Sequence, residues 1–177
     1  MNAMTRSRRF LLAAIALGAA FVLFHGQLAA ALVTRGDDAL RGGDTDAAIR
    51  LYRRAMALDP ASTVAADRLA FHLALRHDRA QAQLAVAVAT RALSAHVAEP
   101  ALYVDRAFAE LQLRAWRHAE RDFDRAGLLA HDARYEHFAG RMALRSGDRA
   151  AAKRYLLRAL ADDPGFAPAR TLLRTLE

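Results

Sequence analysis

Small and bulky apolar residues recur through most of this chain at the spacing of one helical face. In residues 43–60, Ala48, Tyr52 and Ala55 lie four and three residues apart, which places them on one side of a helix. A Gly-Asp pair opens this stretch and can end one helix and cap the next. An Asp-Pro pair closes it, because the residue before a proline avoids the helical conformation. The pattern predicts a short amphipathic helix between two turns.

The same pattern returns with a period near 34 residues. Two columns of alanines each show separations of 37, 34 and 33 residues, and a third column of small residues shows 34, 37 and 33. Small residues let two helix backbones approach closely, and one helical hairpin cannot bury its apolar face alone. A constant period therefore predicts stacked hairpins, whereas an ordinary helical bundle has no need of one. The columns are Ala48, Ala85, Ala119 and Ala152; Ala55, Ala92, Ala126 and Ala159; and Gly36, Ala70, Ala107 and Gly140.

The order of small, aromatic, small and proline residues resembles the second half of a tetratricopeptide (TPR) repeat. The resemblance implies an all-α fold, a right-handed TPR α-solenoid with four helix-turn-helix repeats in residues 34–166. A capping helix in residues 167–177 would cover the last repeat, with Leu172, Leu173 and Leu176 facing inward. The single tryptophan, Trp116, falls where the family commonly packs an aromatic ring between helices.

Residues 1–33 have a different composition. Three arginines lie within the first nine residues, and Phe10 to Phe24 is an unbroken run of 15 apolar or small residues. As a helix, residues 10–33 would be about 36 Å long at ~1.5 Å per residue, enough to cross a hydrocarbon layer of ~30 Å. The sequence therefore predicts a cytoplasmic basic tail in residues 1–9, with Arg6, Arg8 and Arg9, and a transmembrane signal-anchor helix in residues 10–33.

A cleaved secretory signal is the competing interpretation, because Ala29-Ala30-Ala31 offers a small-x-small cleavage site. Residues 7–11 are also close to a twin-arginine export motif, although its spacer residue is missing. If residues 10–33 remain, we expect the helix to continue without a linker into the first repeat, as far as about Arg41. The arginines before Phe10 should stay cytoplasmic, so the repeats would lie on the far, periplasmic side of the membrane. The bacterial inner membrane is inferred from arginine usage, since Lys153 is the only lysine of the chain.

Composition excludes several classes of function. The chain contains no cysteine, so disulfides, thiolate catalysis and zinc–cysteine sites are absent. The net charge of +7 raises the question of nucleic acid, but acidic and basic residues alternate along the predicted helices, as in residues 117–125. No basic stripe is interleaved with aromatic residues. We therefore expect no nucleic-acid partner.

The sequence offers little support for catalysis. The seven histidines lack metal-binding spacing, and the pair Asp122 and Asp124 lacks the glycine and glutamate of a calcium loop. There is no glycine-rich phosphate loop and no recognisable nucleophile–base pair. We predict no enzymatic activity, no metal, no cofactor and no small-molecule substrate.

The TPR resemblance implies binding of a partner's peptide segment in a concave groove lined by the first helices of the repeats. The Lys and Asn set of the chaperone-binding carboxylate-clamp subfamily is missing, so the C-terminus of a chaperone is not the expected ligand. The groove candidates, carried over by position, are Asp67, Arg68 and Phe71, then Val104, Asp105 and Phe108, then Arg134, His137 and Arg141.

One helix also carries a cationic stripe. Arg134, His137, Arg141 and Arg145 are spaced three, four and four residues apart, so their side chains share one helical face. Two interpretations remain open, a plainly solvated face and an anion-facing groove for an acidic segment or a C-terminus.

The leading functional hypothesis is a membrane-anchored TPR adaptor or scaffold that binds a peptide segment of a partner protein in an envelope assembly. The first alternative is a signal-cleaved, soluble periplasmic TPR protein that binds like a chaperone. The second is an enzyme subunit or structural spacer whose groove has no peptide function.

Overall fold

A computed structural model describes the backbone of residues 2–176 and the side chains of residues 12 and 15–176. Within this range the chain forms nine α-helices and no β-strand, which confirms the predicted all-α fold. The side chains of Arg6, Arg8 and Arg9, on which the predicted basic tail depends, lie outside the described residues. The helices are α1 (Asn2–Arg41), α2 (Thr45–Leu58), α3 (Thr63–Ala74), α4 (Arg79–Ala95), α5 (Pro100–Gln112), α6 (Trp116–Ala130), α7 (Ala133–Arg145), α8 (Arg149–Asp162) and α9 (Ala167–Arg174).

Aspartates cap the second helix of three hairpins. Each carboxylate accepts a hydrogen bond from the backbone N–H three residues ahead, at 2.7–2.8 Å, and so satisfies a donor that the helix leaves free. The three caps are Asp44 before α2, Asp78 before α4 and Asp148 before α8. Before α6 the equivalent residue is Ala115, which supplies no side-chain cap.

The chain divides into two compact units, and the first is Met1–Ala65. In this unit α1 is one continuous helix that packs against α2 and passes through residues 34–38 without a break. The predicted continuity is therefore confirmed, although the helix is longer than the roughly 30 residues expected, since it spans 40.

The packing of α1 on α2 depends on a close approach at Gly36. A Cβ atom added there would overlap Cε1 of Tyr52 and lie 2.9 Å from Cδ1 of the same ring, which is fully buried. The Tyr52 hydroxyl donates a 2.6 Å hydrogen bond to Oδ1 of Asp37 on the same stretch of α1. The glycine in the repeat column thus makes room for the aromatic ring of the facing helix.

The preceding part of α1 presents an apolar surface to its surroundings. Its large apolar side chains, from Leu12 to Phe24, are about two-thirds exposed, at 59–72%. By length and composition, residues 15–41 of this helix could cross a membrane, a test that a signal sequence near an N-terminus also passes. Burial begins further along, at Ala29 and Val33.

The second unit, Ala66–Glu177, contains most of α3 and all of α4 to α9. Successive helices from α4 to α9 pack on one another, as expected for hairpins joined in series. The small residues of the repeat columns are almost entirely buried, with Ala85, Ala119 and Ala152 at 0% exposure and Ala92 at 5%. Gly140 lies 3.2 Å from Leu156, measured from an added Cβ atom, the same relation that Gly36 has to Tyr52.

Helix α9 covers the end of this unit, as predicted. Leu172, Leu173 and Leu176 are half-buried against Leu156, Ala159 and their neighbours. Trp116 is half-buried and packs on the cluster around Phe123. The expected placement of its ring between helices is therefore confirmed, but one side remains accessible.

Candidate functional site

Three first helices of the hairpins, α3, α5 and α7, lie side by side in the second unit. Gln112 at the end of α5 is 3.0 Å from the imidazole of His77, just after α3. On the other side of α5, the ring of Phe108 meets that of Phe138 on α7 with centroids 6.0 Å apart. We call the surface that these helices form the first-helix face. All nine residues predicted for a groove lie on these three helices.

The apolar candidates on this face divide into exposed and packed side chains. Phe71 is 40% exposed, and Leu75, in the turn just after α3, is 52% exposed. Phe108 instead joins an aromatic cluster, edge to face with Phe123 at 5.4 Å, and Val104 packs on the same core. Apolar ligand contacts are therefore available at α3, while the ring of Phe108 serves the core.

The acidic candidates form a pair between α3 and α5. Asp105 is 3% exposed, and its Oδ2 has no hydrogen-bond partner within the described part of the chain. Burial, and then the neighbouring charge of Asp67, raises the pKa of Asp105 to about 9, so this carboxyl holds its proton at neutral pH. Asp67 makes an ion pair with Arg68 on the same helix, at 3.2 Å. Asp105 is thus a neutral, buried group under the face and not an exposed charge.

The predicted cationic stripe separates into two parts. Arg134 is held by Asp132, the cap of α7, through hydrogen bonds from Nε to both carboxylate oxygens at 3.0 and 3.1 Å. His137 is half-buried with its ring 5.7 Å from that of Phe166. Burial, and then the charge of Arg141, lowers the pKa of His137, so its imidazole is neutral at neutral pH. These two residues contribute little free positive charge.

Arg141 and Arg145 form the remaining part of the stripe. The Arg141 guanidinium carbon is 6.0 Å from the ring centre of Phe138, and that of Arg145 is 5.5 Å from the ring centre of Trp116. Neither forms an ion pair with a carboxylate in the described structure. The aromatic rings hold the two guanidinium groups in place and leave their N–H donors free for an anion.

Other charged side chains serve the packing of the hairpins. Arg106 donates from Nε and from a terminal nitrogen to the two oxygens of Asp122, at 2.6 and 2.7 Å, and from its other terminal nitrogen to Thr90 at 3.1 Å. Arg158 on α8 bridges Asp124 on α6 and the fully buried Glu136 on α7. These networks could not be predicted from the sequence, because each joins residues 16 to 34 positions apart and gives no local signal.

Metal ligands do not assemble in the described residues. No group of three or more histidine, aspartate or glutamate side chains lies close enough to hold an ion there. Two of the buried carboxyls, Asp122 and Glu136, instead pair with arginines, and Asp105 lies beside Asp67.

Comparison with known proteins reveals similarity in structure. No family model matches the sequence, and no curated protein matches it either. The crystal structure of MamA is 20% identical with a TM-score of 0.70, covering 80% of this chain and 81% of that one. A tetratricopeptide repeat protein from Parabacteroides merdae is 20% identical with a TM-score of 0.69, over 85% of this chain and 59% of that one. A chain of the Cut9-Hcn1 hetero-tetramer of the APC/C is 18% identical with a TM-score of 0.63, over 82% of this chain and 29% of that one. At this level of identity the likeness shows the fold, and the chain has the tetratricopeptide-repeat fold.

Proposed function

We propose that this chain is a membrane-anchored adaptor that binds an acidic peptide segment of a partner protein on its first-helix face, within an envelope assembly. The observation that carries the proposal is the pair Arg141 and Arg145, two cations oriented by aromatic rings and lacking a carboxylate partner among the described residues. A guanidinium group can bind a carboxylate through two parallel hydrogen bonds. The exposed side chains of Phe71 and Leu75 offer apolar contacts on the same face.

The anchor is supported by the surface of α1. Apolar side chains that are about two-thirds exposed over residues 12–24 would be costly in water but stable in lipid. The small-x-small site at residues 29–31 lies inside a continuous helix, and Ala29 is only 1% exposed. This placement favours an uncleaved anchor over a released soluble protein. The intact mass of the mature chain distinguishes them, since cleavage would remove about thirty residues.

The proposed periplasmic location of the repeats can be tested because the chain contains no cysteine. Arg125→Cys and Arg154→Cys each place one thiol at an exposed position of the second unit. In intact spheroplasts we expect both to react with a membrane-impermeant maleimide. Labelling that requires lysis would place the repeats in the cytoplasm.

The binding face is tested with two double variants of equal charge change. Arg141→Gln with Arg145→Gln removes the two free cations, while Arg125→Gln with Arg154→Gln removes two exposed arginines elsewhere. Each full chain is tagged, crosslinked in its own cells and purified in detergent. We expect the first pair to lose a crosslinked partner that the wild type and the second pair retain. Equal retention by all three would contradict the proposal.

A further inference from the structure

A cavity of about 460 Å³ opens beside the turn that joins α5 to α6, and the proposed peptide face does not account for it. Basic side chains dominate its polar lining, and the indole of Trp116 gives it an apolar wall. Among the described residues, no carboxylate lines it. The lining residues are Arg114, Ala115, Trp116, Arg117, His118 and Ser146.

The positive charge of this cavity is not neutralised locally. Arg114 and Arg117 form no ion pair with any described residue. Arg145, whose guanidinium carbon is 5.5 Å from the ring centre of Trp116, is not among the lining residues. Nδ1 of His118 is 3.7 Å from Oε1 of Glu110. Burial raises the pKa of Glu110 to about 8, so near neutral pH this acid does not cancel the basic charge.

Two carboxylates lie next to the cavity, and both already have partners. Glu120 accepts hydrogen bonds from Ser146 and Tyr155, each at 3.3 Å. Asp148 caps α8 through the N–H of Ala151 at 2.7 Å. They line a smaller neighbouring space of about 190 Å³ together with Arg117 and Arg121. Their partners are neutral groups, so both carboxylates keep their charge, but neither is among the residues that line the main cavity, where Arg114 and Arg117 supply the positive charge.

We propose that this cavity binds a phosphate group, carried by an anionic phospholipid headgroup or free in solution. Guanidinium groups that approach from different elements match the several oxygens of a phosphate better than the single plane of a carboxylate. The indole of Trp116 can cover the apolar part of a headgroup. The site goes beyond the peptide-binding function and does not depend on it.

Trp116 provides the measurement, since it is the only tryptophan of the chain and lines the cavity. The full chain is placed in nanodiscs of phosphatidylcholine and titrated with inorganic phosphate, with potassium chloride of equal ionic strength as the blank. In a second arm the nanodiscs contain phosphatidylglycerol. We expect a change in Trp116 emission that saturates with phosphate, or one that appears with the anionic lipid.

Arg114→Gln with Arg117→Gln should weaken this response at least about tenfold, as expected for the loss of charge-assisted hydrogen bonds. Arg125→Gln with Arg154→Gln removes the same charge from exposed positions away from the cavity and should leave it unchanged. Ala115→Asp places a carboxylate at the cavity while supplying a helix cap, so it should abolish the response in a chain that is at least as stable.

Each outcome decides the proposal. A saturating phosphate response that the Arg114 and Arg117 pair loses identifies a free phosphate as the ligand. A response confined to phosphatidylglycerol and lost in the same pair identifies the lipid. If neither arm responds, or if the cavity pair and the control pair respond equally, the cavity binds no phosphate.

Discussion

Asp105 is a buried acid whose effect on stability can be worked out from its surroundings. It is 3% exposed beside Asp67, and burial followed by that charge raises its pKa from 3.8 to about 9. In the unfolded chain this carboxyl has a pKa of 3.8 and is ionised at pH 7, whereas the folded chain keeps it protonated. One pKa unit corresponds to about 1.4 kcal/mol, so keeping the proton at pH 7 lowers the free energy of unfolding by on the order of 4 kcal/mol. Asp105→Asn removes this cost but buries an amide at about 1–3 kcal/mol. We expect the substitution to stabilise the chain by about 1–3 kcal/mol at neutral pH.

The sign of the pH dependence follows from the raised pKa. Between about pH 4 and pH 9 the folded chain holds the Asp105 proton and the unfolded chain has released it. Unfolding therefore releases a proton, and the stability of the wild type falls as the pH rises through this window. The advantage of Asp105→Asn over the wild type should be small near pH 5 and should grow toward pH 8.

The measurement is urea unfolding of the full chain in detergent micelles, followed by Trp116 emission. Asp122→Asn is the matched control, because Asp122 is also buried at 6% exposure but pairs with Arg106 at 2.6 Å. Breaking a buried ion pair leaves an uncompensated charge, so this variant should lose about 3–5 kcal/mol. The same chemical change thus has opposite signs at the two sites. If the advantage of Asp105→Asn varies by less than about 0.5 kcal/mol between pH 5 and pH 8, Asp105 does not hold its proton as described.

Two further substitutions test the packing and the caps of the hairpins. Gly36→Ala should lower the midpoint of thermal unfolding measured by circular dichroism. The added methyl group overpacks against Tyr52 at a cost of about 1–3 kcal/mol, which outweighs the gain of about 0.5–1 kcal/mol from replacing a glycine inside a helix. A higher midpoint would contradict the close approach of α1 and α2. Ala115→Asp should raise the urea midpoint of Trp116 emission by supplying the missing side-chain cap of α6, worth about 1 kcal/mol. No increase would mean that the bond from the His118 N–H to the carbonyl of Ala115, at 2.9 Å, already satisfies the start of this helix.

The repeat and its helices could be predicted because each depends on local or periodic features of the sequence. The alanine columns recur at one period, and Asp44, Asp78 and Asp148 mark helix starts by residue type. The continuity of α1 with the first repeat also followed from the sequence, since residues 28–41 contain no proline. The helix ends were less certain. Helix α3 stops at Ala74, and His77 follows in a left-handed conformation that no residue type in this stretch announces.

Less of the candidate site than of the fold could be predicted from the sequence. Helical spacing placed Arg134 and Arg141 on one face, but only the structure shows that Asp132 binds the first and leaves the second free. A partial signal was present, because an aspartate two residues before Arg134 is the helix cap and lies within reach of its guanidinium group. The contact between Arg145 on α7 and the ring of Trp116 on α6 joins residues 29 positions apart, so no local pattern could predict it.

The buried acids of this chain are concentrated in α5, α6 and α7, where Asp105, Glu110, Asp122 and Glu136 are at most 6% exposed. In a repeat array each hairpin contacts only its neighbours. The free-energy cost of burying a carboxyl therefore lowers the local stability of the hairpin that contains it. The α5–α6 hairpin also lacks the aspartate cap and borders the basic cavity. We therefore expect amide hydrogen exchange at α5 and α6 to accelerate, beyond the intrinsic effect of pH, as the pH rises toward 9, and to do so more than at α8. An anion bound beside Trp116 would oppose this opening, because it favours the folded hairpin.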